Sequence, residues 1–149
     1  MSATKLNNVD RELAHPQRSA GDQVTALTAI ATMATSYTNM GDFEIGSNPC
    51  VGGYITWTKS AGTILTVSAE VSIDDTTYVD IPDYGSPSSG ASVVSKGSIT
   101  FTSALWCTGA SGSIPFNFNV PGFRYIRIKA KSDNASGSCT GKIAAGTGS

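Results

Sequence analysis

The chain has 149 residues, a formal net charge of −1 and a pI near 5.7. That length holds one domain with a real core, and that charge excludes whole-chain electrostatic attraction to nucleic acid or to an anionic membrane. Only 14% of residues are charged, while Ser and Thr supply roughly a quarter of the chain, a hydroxyl-rich mixture that favours strands and turns over helices.

Residues 1–22 scatter Asp10, Arg11, Glu12, Arg18 and Asp22 among apolar side chains without a helical or alternating period. They read as an extended arm ahead of a single domain, 23–149. No apolar run is long enough to span a bilayer and the first residues lack the apolar segment of a secretory signal, so a soluble protein made in the cytosol is expected. From Gln23 to Thr38, Val24, Leu27, Ile30 and Met33 recur every three residues, which fits neither a strand nor a helix stripe, although the Thr density tilts the reading toward strand.

Beyond the turn signals at Gly41 and at 46–49 the alternation sharpens. Residues 53–60 form one candidate strand. In 63–73, Leu65, Val67, Ala69, Val71 and Ile73 share one face, and Thr66, Ser68, Glu70 and Ser72 the other. Asp74, Asp75 and Thr76 supply a turn, and Tyr78, Val79 and Ile81 resume a strand that Pro82 closes, so 63–81 reads as a hairpin. Residues 82–98 are rich in Pro, Gly and Ser, with only a Val pair inside, and read as a long surface loop that is one candidate contact surface.

Strands are then expected over 98–106 and over 114–120, where Ile114, Phe116, Phe118 and Val120 alternate with polar residues, the two being separated by the Gly/Ser loop 107–113. The corner Pro121-Gly122 introduces 121–131, in which Ile126, Ile128 and Ala130 face inward and Tyr125, Arg127, Lys129 and Lys131 outward. A last run over 139–146 completes a sheet. Seven to nine strands at about ten-residue spacing predict an all-β antiparallel sandwich, jelly-roll or immunoglobulin-like, with an extended N-terminal arm.

Catalytic chemistry finds little purchase. His15 is the sole histidine and lies in the arm, which leaves no base to pair with a nucleophile. Residues 137–141, GSCTG, match a nucleophile elbow by pattern with Cys139 in the central place, but a short strand rather than a helix is expected after them. Asp74, Asp75, Asp80 and Asp83 are close in sequence yet lack the spacing of a calcium loop and sit where a turn wants Asp. Asn134-Ala135-Ser136 is a glycosylation sequon by pattern and reads as a turn. Cys50, Cys107 and Cys139 have no zinc-ligand spacing and read as reduced, buried thiols, with a Cys50–Cys139 bridge as the alternative. No cofactor, metal or catalytic residue is expected, and the chain is read as no enzyme.

The outward basic row, Tyr125, Arg127, Lys129 and Lys131, has two readings. It is the solvated and aggregation-resistant back of a strand, or a docking patch for an acidic protein surface. In the arm, Leu6, Val9, Arg11, Leu13 and Arg18 are the expected partner contacts, since apolar and Arg side chains are favoured at interfaces. Trp57, Trp106, Tyr78 and Tyr84 are candidate sugar-stacking aromatics, with core packing as the alternative for both tryptophans.

Laid end to end, the Thr/Ala-rich leader from Gln23 to Gly46, the segment from Gly53 to Pro82 with its Ser72-x-Asp74-x-Thr76-x-Tyr78 hairpin, and the closing VPGFRYIRIKAKS run with its Gly/Ala-rich end resemble small β-sandwich virion proteins of tailed bacteriophages. The resemblance covers roughly residues 23–146. It implies a capsid decoration (cement) protein or a small neck or tail attachment, located in the virion and assembled in the host bacterial cytoplasm. The partners it implies are the major capsid protein or other virion proteins and further copies of the chain. Neither nucleic acid nor membrane is expected as a partner, and a glycan is the alternative ligand, as on a tail-fibre module.

Overall fold

In the computed structural model, residues 3–5, 24–46, 48, 50–81, 93–95 and 98–146 are described. Two-residue alternation decides the architecture. β5 (Ile64–Ser72) buries Leu65, Val67, Ala69 and Val71, and β10 (Tyr125–Ser132) buries Ile126, Ile128 and Ala130. Against them pack Val51, Ile55 and Trp57 of β4 (Cys50–Thr58), Ile114, Phe116 and Phe118 of β9 (Ser111–Asn119), and Cys139, Ile143 and Ala145 of β11 (Ser138–Gly146). Each large side chain so enclosed contributes about 1.5–3 kcal/mol, and the two inner faces together make the core of a sandwich.

The larger sheet runs β1 (Thr4–Lys5), β3 (Thr38–Glu44), β10, β5, β8 (Ser98–Thr102), β7 (Val93–Ser95), with β6 (Val79–Asp80) paired to β5. The smaller runs β2 (Val24–Ala26), β11, β4, β9. All pairings are antiparallel except β1 on β3. Apart from the fringing β1, β6 and β7, successive strands change sheets at every step but one, β5 to β8: β2, β4, β9 and β11 lie in one layer and β3, β5, β8 and β10 in the other. That order is the jelly roll, two interleaved Greek keys, and it decides between the two sandwich types expected.

The three-residue period near the N-terminus has its own explanation. Leu27, Ile30 and Met33 are buried and donate their N–H groups to the carbonyls of Gly141, Cys139 and Gly137, at 2.9, 2.8 and 2.8 Å. Three residues on this side therefore match two on β11, a succession of bulges in which every third side chain turns inward.

Three local expectations are corrected. The Val pair read as part of a loop is strand β7, paired to β8. The strand expected over 98–106 stops at Thr102, and Ser103–Trp106 form one helical turn, α1, which lets Trp106 pack edge-on against Phe101. The second strand of the 63–81 hairpin is only the two residues of β6. Of the expected arm, residues 3–5 are described; Thr4 and Lys5 pair with Phe43 and Glu44, and the N–H of Ala3 donates to Asp75 Oδ2 at 2.9 Å.

Candidate functional site

The Pro121-Gly122 corner is a type II turn. Gly122 takes φ of +89°, and the N–H of Phe123 returns to the carbonyl of Val120 at 3.3 Å. It feeds β10 into the middle of the larger sheet, between β3 and β5, and so puts the basic row in a central strand instead of at an edge. The register sets Arg127 between Asp42 and Glu70, Lys129 between Asn39 and Ser68, and Tyr125 between Glu44 and Ser72, with Lys131 opposite Thr66 of β5.

Acidic neighbours pair with two of the row's three cations, Arg127 and Lys129. Arg127 donates from Nε and Nη2 to the two carboxylate oxygens of Asp42 at 2.7 and 2.9 Å, the forked geometry that makes such pairs strong. Glu70 Oε1 lies 3.9 Å from Arg127 Nη1 and 3.0 Å from Lys129 Nζ. Arg127 and Asp42 are only 28% and 14% exposed, so their attraction is screened less than that of an ordinary surface pair. The Arg127 hydrogen bond holds the Asp42 carboxyl below its usual value, and the same contact raises the Arg127 pKa.

Aromatic rings complete the arrangement. The Arg127 guanidinium sits 4.0 Å over the Tyr78 ring, and the Lys129 and Lys131 ammonium groups lie 5.0 and 4.6 Å from the centre of Tyr37. Burial, together with a hydrogen bond donated to Asp75 Oδ1 at 2.6 Å, raises the Tyr78 phenol pKa, and the Tyr37 hydroxyl lies 3.4 Å from that of Ser98. A connected polar network thus crosses the sheet from β3 to β8. Its margin is a shallow trough of about 390 Å³ lined by Lys131, Thr66, Ser98, Thr100 and Asp80. Chemically, this surface offers hydrogen bonds of both senses, and its Arg127 and Lys129 charges are already matched.

The other candidates sort by burial. Trp57 is fully enclosed in the core, Trp106 is half-buried against Phe101, and Tyr78 lies under Arg127. Cys139 is buried, and burial pushes its thiol up to about 12, the inert end of cysteine reactivity. Gly137 does turn sharply, with φ of +86°, but Cys139 then enters β11 and no helix follows. Cys50 pairs with Gly146 on β11, seven residues along from Cys139, about 23 Å at the strand rise and beyond disulfide reach.

Asp74 is occupied as a turn former: its Oδ1 accepts the N–H groups of Thr76 and Thr77, each at 2.9 Å. Among the described residues no three His, Cys, Asp or Glu side chains gather as a metal group. Leu6, Val9, Arg11, Leu13 and Arg18, with His15, Asp83 and Tyr84, lie outside the described residues.

Sequence reading missed Asp42, Tyr37 and Tyr78 as members of this network. Glu70 was legible as an outward residue of β5, but its partners were not, because Asp42 and Arg127 are 85 positions apart and only the register of β3 on β10 joins them.

No family model and no curated protein matches the chain. Among solved structures it is similar to the infectious bursal disease virus VP2 subviral particle, at 14% identity and a TM-score of 0.45 over 83% of this chain. It is also similar to Bacillus endospore appendages, described as a family of disulfide-linked pili, at 15% identity and a TM-score of 0.40 over 89% of this chain and 99% of that one. The chain spans about a third of the VP2 chain, 33%. At these identities and scores neither likeness bears on what this chain does.

Proposed function

We propose that the chain is a non-enzymatic structural protein of a tailed-phage virion, a capsid decoration (cement) or other head-attached protein that binds neighbouring capsid subunits. The observation that carries this reading is the outer network of the larger sheet. Its acids and bases are spent on each other and on tyrosine rings, an arrangement that stiffens a sheet instead of presenting a reactive group. The resemblance of the leader, the hairpin and the closing strand to phage sandwich proteins supplies the setting. A glycan-binding reading is less favoured, because Trp57 is enclosed in the core and Trp106 packs half-buried against it.

Quantitative mass spectrometry of purified particles tests the proposal. On the order of hundreds of copies per particle is the expected result for a head lattice, whereas about six or twelve would move the protein to the neck or tail. Absence from particles assembled in its presence would overturn the structural role.

A further inference from the structure

The outer face of the smaller sheet differs in kind from the face just described. Its four strands hold a single charged residue, Lys142, whereas the outward positions of β3, β5 and β10 include Asp42, Glu44, Glu70, Arg127, Lys129 and Lys131. The smaller sheet's outward positions are otherwise largely Ser, Thr and Asn around an exposed tyrosine, and depletion of charge about an aromatic side chain is the compositional signal of an interface core. On this face Val24 is 62% and Tyr54 41% exposed.

Gly52 sharpens the point. It lies in β4, an interior strand of the sheet, and faces outward, where a Cβ would meet nothing nearer than the Phe116 carbonyl oxygen at 3.8 Å. Neighbouring Gly53 and Gly141 are required internally, since a Cβ there would strike the carbonyl oxygens of Lys142 and Tyr54. The chain's own packing makes no such demand at Gly52, although glycine inside a strand costs about 0.5–1 kcal/mol relative to alanine. Such a glycine marks a close approach by another surface.

The register shows the shape that approaches. Across the sheet Gly52 is flanked by Ala144 and Asn117, a low row, and the next outward row carries Tyr54 beside Lys142 and Pro115, a high one. A ridge and a hollow one step apart on one face are self-complementary. A two-fold axis crossing β4 at Gly53 lays Tyr54 of each copy into the Gly52–Ala144 hollow of the other. Lys142, one strand in from the β2 edge, can extend its charged end to the rim.

Three strands of nine residues and the three residues of β2, about 4.8 Å apart with a rise of about 3.3 Å, give a footprint of roughly 475 Å² per copy. Doubled, about 950 Å² is the size of a weak, reversible pairing. A face with one charge offers a strongly charged partner nothing to match, so its own copy is the occupant the chemistry favours.

We propose that the outer face of the β2-β11-β4-β9 sheet is the surface through which the protein pairs with a second copy of itself, Tyr54 seating over Gly52 and Ala144. The inference deepens the structural role and rests on it only for purpose: loss of particle incorporation with pairing intact would sink that role and leave this face standing.

Sedimentation of the full chain, wild type, Gly52→Thr and Tyr54→Ser, with thermal melts of each, tests it. Wild type is expected to dimerise below about 100 µM. Gly52→Thr is expected to weaken pairing at least ~10-fold while melting no lower than wild type at dilutions where both are monomeric, and Tyr54→Ser to weaken it similarly. Should Gly52→Thr melt lower, Tyr54→Ser decides alone. A wild-type chain that stays monomeric at about 100 µM, or a dimer that Tyr54→Ser leaves unchanged, would overturn the proposal.

Discussion

Arg127 shows how a residue that looks like a binding cation can be a structural one. Its fork is filled by Asp42, its face by Tyr78 and its remaining nitrogen approaches Glu70. Removing Asp42 leaves a half-buried guanidinium short of its partner, so Asp42→Ala is expected to cost about 1–3 kcal/mol in urea unfolding. Arg127→Lys should recover little of what Arg127→Ala loses, because an ammonium can neither fork nor lie flat on the ring. Equal stability of Arg127→Lys and wild type would show that the fork is idle.

Three carboxyls share the same logic. Asp42 is held low by Arg127, and Asp74 by the N–H groups of Thr77 and Thr76. For Asp133, burial works against the charge, but the Thr63 hydroxyl and the N–H groups of Ile64 and Thr63 prevail and its pKa is also lowered. A depressed folded-state value means that the stabilisation is complete above the ordinary carboxylate range, about pH 4, and is lost as pH falls through the lowered values. Urea midpoints are expected to be flat from about pH 7 to 5 and to fall below about pH 4. A midpoint that rises on acidification contradicts these contacts.

At the scale of elements, sequence gave away what depends on near neighbours. The inward faces of β5, β9 and β10 were readable because a period of two needs only the strand itself, save for Ile73, which falls just past the end of β5 and is 65% exposed. The turn chemistry of Asp74 and of Pro121-Gly122 was readable for the same reason. The Leu27, Ile30, Met33 spacing was visible but not interpretable, since its cause is the alternate carbonyls of β11 more than a hundred residues away. β7 was hidden because three residues carry too short a pattern, and α1 because a single turn has no period at all.

The adjacent glycines of β4 separate the two reasons for lacking a side chain. Gly53→Ala drives a Cβ into the Lys142 carbonyl across β11, whereas Gly52→Ala meets only the Phe116 carbonyl oxygen at an ordinary 3.8 Å. The first is expected to destabilise by more than ~2 kcal/mol and the second to leave monomer stability equal or higher, read from chemical denaturation. Matching losses at both positions would refute the register of β4 on β11.

For the whole molecule, the fold class was legible because every long strand carries its own alternation, while the strand order was not, because alternation is silent about neighbours. The candidate site followed the same rule: the members of the basic row were visible and the pairing of Arg127 and Lys129 was not. The jelly roll makes two unlike exteriors from one chain, an ion-paired face on the larger sheet and a nearly uncharged face on the smaller. Assembly through the second face leaves the first in water.

Tyr37 and Tyr54 stand on opposite faces with nearly equal exposure, 37% and 41%, so they report on the two faces without correction for accessibility. Hydroxyl-radical footprinting of the self-associated protein, read by mass spectrometry against a dilute monomeric sample, puts the question directly. Protection of Tyr54 with Tyr37 and Tyr125 as reactive as before is the predicted result; protection of Tyr37 with Tyr54 left reactive would contradict it.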